Sequence, residues 1–137
     1  MEEVYRKLGE DEKKKVEETI AKILSKYKFI DAALIFGSFV TRKFFRDIDV
    51  AIVCEKVREK DLERIALEIE KKIKIPVDLK VLDELPLKLK FFVIRQGKLV
   101  MVNQKERYFI VKHSVITQFL DFKPFLERYT KGVLGWS

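Results

Sequence analysis

The stretch ALIFGSFVTRKFFRDIDVAIV, residues 33–53, decides how this chain folds. It overlaps the apolar run IDAALIF, which Gly37 closes, and this pattern predicts a buried strand followed by a tight turn. The segment SFVTRKFFR then forms a basic, aromatic connection, and DIDVAIVCE after it predicts a second strand. The stretch therefore predicts two strands joined by a short basic segment.

Two acidic side chains mark the start of the second predicted strand. Asp47 and Asp49 are two positions apart, so strand alternation points both carboxylates to one face, while Ile48, Val50 and Ile52 point to the core. Two neighbouring like charges are costly unless a cation lies between them. A divalent metal ion with oxygen ligands satisfies that requirement, whereas the alternative is a pair of carboxylates facing solvent or paired with lysines.

A third aspartate follows in the segment PVDLKVL, where a third strand is predicted to start at Pro76. If this strand neighbours the second, Asp78 joins Asp47 and Asp49. Three carboxylates with no histidine or cysteine nearby favour Mg²⁺, or Mn²⁺, over zinc. Two such ions would stabilise the attacking and leaving oxygens of an in-line displacement at phosphorus.

The turn before the basic connection is suited to a phosphate. Glycine at position 37 allows close approach of the backbone, and the hydroxyl and N–H of Ser38 can bind phosphate oxygens. Arg42, Lys43 and Arg46 follow and could neutralise a triphosphate, although each could equally be a solvated surface residue. The predicted site thus binds metal through Asp47, Asp49 and Asp78 and nucleotide through these five residues.

The remaining pattern predicts further helices around a small sheet. We expect one α/β (α+β) domain over residues 1–137, in which a small mixed sheet is covered by helices. Its core covers about residues 10–103, and a C-terminal helical segment covers residues 105–130. The predicted elements are a helix from Glu10 to Tyr27, a helix N-capped by Asp61 and ending near Lys72, a short helix from Pro86 to Gly97, a strand KLVMVN, and a helix from Lys105 that Pro124 should break or kink.

The composition is that of a folded, basic domain. Hydrophobic residues make up 47% of the 137 residues, which excludes a disordered chain, and the net charge of +7 favours anionic partners. No run approaches the roughly 18 apolar residues of a membrane span, and no secretory signal is recognisable. With Cys54 as the single cysteine, and a core residue by its apolar context, we expect a cytoplasmic protein without a membrane partner.

Other residues that could carry chemistry are better explained structurally. His113 lies on a predicted helix without metal-ligand spacing, and Asp31 and Asp83 fit strand-edge or turn positions. Asp121 could cap the segment after Pro124 or join a contact with a partner. Five phenylalanines are expected mainly in the core, although some could instead form a subunit interface in a homo-oligomer. They are Phe91, Phe92, Phe119, Phe122 and Phe125.

The stretch 33–53 together with PVDLKVL resembles the minimal nucleotidyltransferases (MNT) of the DNA polymerase β superfamily. The likeness covers roughly residues 10–103, and QFLDFKPFLERY resembles the C-terminal helix of the same small proteins. It implies a polymerase β-like fold in which Gly37 and Ser38 bind phosphate. It also implies that Asp47 and Asp49 bind both metal ions, and that Asp78 completes the catalytic site and assists in activating the attacking hydroxyl.

The resemblance further implies transfer of AMP from ATP, or of another nucleotide, to a partner protein. The implied acceptor is a tyrosine on a small helical protein of the HEPN class, whose RNase toxicity the modification silences, so that this chain is the antitoxin. The connection FVTRKFFR has eight residues and is shorter than in many members, which favours a second hypothesis, a non-catalytic binding module with a vestigial site. Direct nucleic-acid binding rests on charge alone, since no recognised binding motif accompanies it.

Overall fold

The computed structural model describes residues 5–134, and its elements follow the predicted order. Among the helices of these residues, none is long and apolar enough to span a bilayer. The elements are α1 (Glu10–Ser25), β1 (Ala32–Phe36), α2 (Ser38–Thr41), β2 (Ile48–Val53), α3 (Glu59–Ile73), β3 (Val77–Val81), a 3-10 turn (Leu82–Glu84), α4 (Leu87–Gln96), β4 (Lys98–Val102) and α5 (Lys105–Leu134).

The four strands form one mixed sheet in the order β3-β2-β1-β4. Strand β1 is antiparallel to both β2 and β4, whereas β2 and β3 are parallel. Parallel neighbours need a long connection, and α3 supplies it. The expected small mixed sheet is therefore confirmed, and so is the condition that β3 lies next to β2.

One face of the sheet packs against α1 and α3. Ile35 of β1 and Val50 of β2 are fully buried there, together with Ile20 and Leu24 of α1 and Ile69 of α3. Both helices show the predicted apolar stripe, and acidic residues in the first turn of each complement the positive end of the helix dipole. Burial of these stripes fixes α1 and α3 on the sheet.

The opposite face packs against α4 and α5. Leu34 and Ala51 of the sheet contact a cluster that includes Val93 of α4 and Tyr108 and Val115 of α5. Beyond its first polar residue, β2 is consequently buried on both faces, since its residues 50 to 53 are all buried. The charged residue of β2, Asp49, therefore lies near the beginning of the strand, next to the point where β1 ends.

Two predictions about helix ends are wrong, namely the N-cap at Asp61 and the break at Pro124, whereas the alternative of a kink at Pro124 stays a prediction. Helix α3 begins at Glu59 after Arg58, so Asp61 lies in its first turn and pairs with Arg58, at 3.0 Å, and with Arg64, and it does not cap the helix. Helix α5 continues through Pro124 to Leu134 without a break. Proline removes one N–H donor, but residues 120–125 of α5 are exposed, so water can bind the carbonyl group that loses its partner.

The five phenylalanines predicted in the core divide into two groups. Phe91 and Phe119 are half-buried and stack with ring centroids 4.0 Å apart, joining α4 to α5. Phe92, Phe122 and Phe125 are 38%, 48% and 65% exposed, so their prediction as core residues is wrong. The reason is that α4 and α5 meet the rest of the domain along one side only.

The connection between β1 and β2 carries its own hydrophobic anchor. Phe39 and Phe45 are each 1% exposed and meet edge to face with ring centroids 4.9 Å apart. The ammonium group of Lys13 lies over both rings, 4.9 and 5.7 Å from their centroids, and donates a hydrogen bond of 2.7 Å to the carbonyl of Phe39. Lys13 also lies 3.5 Å from the carbonyl of Arg42 and thereby fixes the end of α2.

We expect Lys13→Met to lower the free energy of unfolding by about 1–2 kcal/mol, because it removes a cation–π contact and leaves a partly buried carbonyl group without its donor. Urea denaturation monitored by circular dichroism measures the change. Lys14→Met is the matched control, since Lys14 is exposed on the same helix. Equal effects of the two substitutions would show that the contacts of Lys13 do not hold the connection.

Candidate active site

The predicted site residues meet at one edge of the sheet, where β1 ends and β2 and β3 begin. In the strand register Phe36 of β1 is opposite Asp49 of β2, and Asp49 is opposite Asp78 of β3. Neighbouring strands lie about 4.8 Å apart, and residues in register share a face of the sheet. Asp49 is thus placed between the turn at Gly37 and the carboxylate of Asp78.

The three carboxylates differ in their exposure. Asp47 immediately precedes β2 and is exposed, Asp49 is half-buried, and Asp78 is exposed on a strand whose alternate residues are buried. The alternation predicted for β2 is present, since Ile48 and Val50 are fully buried in the cluster beneath α1 and α3. Asp49 lies on the other face, on the rim of the hydrophobic layer formed with α4 and α5.

Asp49 is the carboxyl group whose pKa this arrangement raises. Burial, followed by repulsion from Asp47 and then from Asp78, raises the pKa of the Asp49 carboxyl from 3.8 to about 6, and Lys80 opposes the shift. Asp78 lies opposite Asp49 in the strand register and Asp47 is two residues away in the chain, so both negative charges are close enough to act on Asp49. The deprotonated, negatively charged form of Asp49 is therefore unfavourable unless a cation binds beside it.

Gly37 is required by the geometry at the end of β1. Its φ of 78° lies in the left-handed region, and a Cβ atom at this position would clash with Oδ2 of Asp49. The carbonyl of Gly37 accepts the N–H of Val40 at 3.0 Å and the hydroxyl of Thr41 at 3.1 Å, which fixes the first turn of α2. Ser38, the first residue of α2, follows the turn directly. The turn therefore lies against the acidic cluster.

Lys80 is a member of the site whose role the sequence did not indicate. Its Nζ lies 3.4 Å from Oδ2 of Asp78, and both side chains are 48% exposed. An ion pair so open to water contributes little to stability. It offers Asp78 a partner that an incoming cation or hydroxyl group can displace.

The donor set fits a hard divalent cation in its chemistry. Carboxylate oxygens of Asp47, Asp49 and Asp78 are the ligands that Mg²⁺ prefers. As the side chains stand, no three His, Cys, Asp or Glu residues within 5–134 already form a group that could hold a metal ion. Holding one requires the exposed carboxylates of Asp47 and Asp78 to turn toward Asp49.

The three predicted basic residues have different surroundings. Arg42 and Lys43 are exposed on the segment that leaves α2. Arg46 packs over the ring of Tyr5, with 5.6 Å from its guanidinium carbon to the ring centroid, and its carbonyl accepts a hydrogen bond of 2.7 Å from Arg6. Arg46 is adjacent to Asp47 in the chain but also contacts the N-terminal segment.

The residues predicted to be structural show no constellation for chemistry. Cys54 is buried, and burial raises the pKa of its thiol to about 11, so it is no nucleophile at neutral pH. His113 is exposed on α5, and Asp83 lies in the 3-10 turn. Asp31 is 4% exposed, and its Oδ1 lies 3.6 Å from Arg107, too far for a hydrogen bond, while its carbonyl accepts the N–H groups of two residues before α5.

The structural role of Lys13 was not predicted, although the sequence contains an indication of it. It lies three residues before Val16, on the same face as the apolar stripe of α1, where a lysine is out of place unless a partner receives it. The burial of Phe39 and Phe45 could not be separated from an exposed aromatic connection by sequence pattern alone.

Comparison with known proteins gives a family and a fold. Residues 18–106 match the family described as Polymerase beta, Nucleotidyltransferase, and no curated protein matches the sequence. Three similar solved structures are toxin–antitoxin complexes.

One is a tri-AMPylated HEPN toxin from Shewanella oneidensis in complex with an MNT antitoxin, with 19% identity, a TM-score of 0.69, and coverage of 89% of this chain and 98% of that one. Another is a toxin–antitoxin structure with AMP-PNP, with 20% identity, a TM-score of 0.70, and coverage of 86% and 98%. A third is the MntA–HepT complex, with 19% identity, a TM-score of 0.68, and coverage of 88% and 98%. At these identities the likeness shows the fold.

The family match spans the part of the chain that forms the acidic edge, by which we mean the end of the sheet that carries Asp47, Asp49 and Asp78. It includes β1, the turn at Gly37, and the strands that carry Asp49 and Asp78. The mixed sheet covered by helices is the polymerase β-like arrangement predicted from residues 33–53 and shared with the MNT antitoxin complexes. The chain therefore belongs to the Polymerase beta nucleotidyltransferase family.

Proposed function

We propose that this chain transfers AMP from ATP to a hydroxyl group of a partner protein in a metal-dependent reaction. The observation that carries the proposal is the strand register, which sets Asp49 beside Asp78 and against the Gly37 turn, with Asp47 one residue before β2. Carboxylates beside a backbone turn suit a magnesium-bound triphosphate. Family membership supports the same reaction class.

Three aspartates would hold the metal ions. Asp47 and Asp49 would be the principal ligands and Asp78 would complete the set, with Mg²⁺ as the preferred cation and Mn²⁺ as a substitute. When bound, such ions neutralise the charge of the phosphates and of the leaving group. The closeness of Asp49 to Asp78 in the strand register supports this assignment, because a cation between neighbouring carboxylates relieves their repulsion.

The nucleotide is held from the side of β1 and α2. Without a side chain at Gly37 the backbone can approach phosphate oxygens, and Ser38 presents its N–H and hydroxyl directly after the turn. Arg42, Lys43 and Arg46 supply positive charge on the same connection. The anchor formed by Lys13 keeps that connection on the domain.

The acceptor hydroxyl approaches from the side of β3. Its oxygen forms a bond to the α-phosphorus of ATP while the bond from that phosphorus to the bridging oxygen breaks, and pyrophosphate leaves. The hydroxyl proton passes to the carboxylate of Asp78, which is open to solvent and pairs only loosely with Lys80. The products are an AMP ester on the partner and pyrophosphate.

The proposed acceptor is a tyrosine of a HEPN-class protein, which makes this chain an antitoxin acting in the cytoplasm. Support comes from the solved complexes of the same fold, one with a tri-AMPylated HEPN toxin and another with AMP-PNP. The likeness covers 98% of the matched chain in each of these two structures. Modification of the partner would then be the route by which its toxicity is silenced.

A second candidate is a non-catalytic antitoxin that neutralises its partner by contact. It is favoured by the short connection between Gly37–Ser38 and Asp47, and by the absence within residues 5–134 of carboxylates already grouped for a metal ion. Calorimetric titration with ATP and Mg²⁺ separates the two candidates. The catalytic candidate predicts saturable binding that EDTA removes, whereas the non-catalytic candidate predicts no heat of binding.

We expect Asp47→Asn to reduce transfer of label from α-³²P-ATP to the partner by at least about 100-fold, because the substitution removes an anionic metal ligand. The far-ultraviolet circular dichroism spectrum should be unchanged, since Asp47 is exposed and precedes the strand.

Asp11→Asn is the control for this experiment, because Asp11 is exposed on α1. It should transfer label at the rate of the unaltered chain. Undiminished transfer by Asp47→Asn would refute the metal assignment, whereas equal loss in both variants would point to a general effect on the fold.

Asp49→Asn should stabilise the metal-free protein above pH 6. Because the folded-state pKa of Asp49 is raised from 3.8 to about 6, the folded protein binds more protons between these values and loses stability as pH rises through this range. Asparagine removes the penalty, and since the side chain is partly exposed we expect a gain of only about 1 kcal/mol at pH 7.5 and none near pH 4.

Thermal unfolding at both pH values, with EDTA and with Mg²⁺ plus a non-hydrolysable ATP analogue, measures these effects. The ligands should raise the Tm of the unaltered protein but not that of Asp49→Asn. Asp121→Asn, an exposed position on α5, should behave like the unaltered protein. A loss of stability in Asp49→Asn at pH 7.5 would show that the Asp49 carboxylate is satisfied without a cation.

A further inference from the structure

The outer edge of β3 is open. The sheet order places β3 at one end, and within residues 5–134 no strand pairs with its outer side. An uncovered edge strand presents N–H and C=O groups that can accept another chain, and proteins usually protect such edges. Strand β3 also carries Asp78, so this edge runs beside the acidic cluster.

The backbone groups available at the edge follow from the ladder. Ile48 donates its N–H to the carbonyl of Pro76 at 3.0 Å, so alternate residues of β3 turn their backbone toward β2, and Val77, Leu79 and Val81 turn theirs outward. The carboxylate of Glu70 accepts the N–H of Val77 at 2.7 Å, so this N–H group is not available to another strand. No strand within residues 5–134 pairs with the outward backbone groups of Leu79 and Val81, and the two residues are 8% and 3% exposed, so an added strand must enter the groove to reach them.

A groove of about 660 Å³ runs along this edge. Helix α3 forms one wall and the turn after β3 forms the other, while β3 itself forms the floor. The apolar part of the lining includes Leu62, Ala66 and Leu85. The groove also includes Asp78, so an occupant would reach the proposed catalytic carboxylate.

The charge of the groove is opposite to that of the protein. Glu59, Glu63 and Glu84 line it together with Asp78, and Lys80 is the one cation among its lining residues. The chain as a whole carries a net charge of +7. Phosphate-bearing ligands are thus repelled from the groove, whereas a chain bearing lysine or arginine is attracted.

We propose that this groove receives an extended, basic segment of the acceptor protein, which adds to β3 as a further strand and brings its hydroxyl residue to Asp78. The proposal rests on the proposed transfer reaction for the identity of the hydroxyl. Backbone pairing with Leu79 and Val81 gives affinity, and the carboxylates of the walls select basic side chains that alternate along the strand. A helix could not fill this role, because its own backbone groups are already paired.

The probe is a fluorescein-labelled peptide of alternating lysine and threonine with one central tyrosine, about ten residues long, which is the length of an ordinary strand with flanks. Binding to the full chain is measured by fluorescence anisotropy without metal or nucleotide. Two matched peptides accompany it, one with glutamate in place of lysine and one with prolines at alternate positions, since proline cannot donate to a strand ladder.

We expect saturable, salt-sensitive binding of the lysine peptide and no binding of the other two. Glu63→Lys and Glu84→Lys should each weaken it about tenfold, because each reverses a wall charge. Glu18→Lys, the same change at an exposed position of α1, should leave the affinity within about twofold, as expected for a charge remote from the groove. Amide shifts in ¹⁵N spectra should concentrate in residues 79–81 and in the first half of α3.

Equal binding of the glutamate or proline peptide, unaltered affinity in Glu63→Lys and Glu84→Lys, or the absence of binding would each overturn the docking proposal. Failure of the transfer reaction is recognised separately, because the peptide experiment uses neither metal nor nucleotide. If Asp47→Asn still transfers label while the lysine peptide binds as expected, the assignment of the metal site is wrong and the docking proposal is supported. If that variant is inactive while the peptide does not bind, the groove fails alone.

Discussion

The pairing of β2 with β3 is the constraint on which the acidic edge depends. A parallel register that sets Asp49 directly beside Asp78 forces two carboxylates together at the start of two buried strands. Burial beyond Asp49 on both faces of β2 prevents the strand from sliding, because a shift of one residue would carry charge into the core. The hydrophobic layers thus hold together charges that would separate by themselves, and burial, with repulsion from Asp47 and Asp78, raises the pKa of Asp49.

The other half of the edge depends on a different kind of contact. The connection from β1 to β2 has little regular structure, yet Phe39 and Phe45 bury it and Lys13 of α1 ties its carbonyl groups. Such an anchor allows the turn at Gly37 to press against Asp49 without a side chain between them. The basic residues of the connection and Phe44 remain at the surface, while Phe39 and Phe45 enter the core. The same short segment therefore contributes hydrophobic contacts to the core and positive charge to the surface.

Much of the fold was predictable because strand alternation and helical stripes are local. The run from Ala33 to Val53 and the pattern VDLKV sufficed for β1, β2 and β3, and the order of the elements followed. Local patterns do not determine which strands are neighbours. The sequence therefore predicted that Asp78 lies near Asp49 only on the condition that β3 pairs with β2. The errors at Asp61 and Pro124 arose where a side-chain ion pair and exposure to water outweighed simple capping and breaking preferences. Lys80 and Lys13 act through spatial neighbours, which one sequence does not reveal.

The unfavourable charge at Asp49 also bears on how long the protein survives. A ligand that binds only the folded chain lowers the fraction of molecules that are open at any moment. Proteases that attack the open form act in proportion to that fraction when opening and closing are rapid. A cation and nucleotide at the acidic edge would consequently lengthen the lifetime of the chain, so that its abundance would follow the supply of the molecules that it uses.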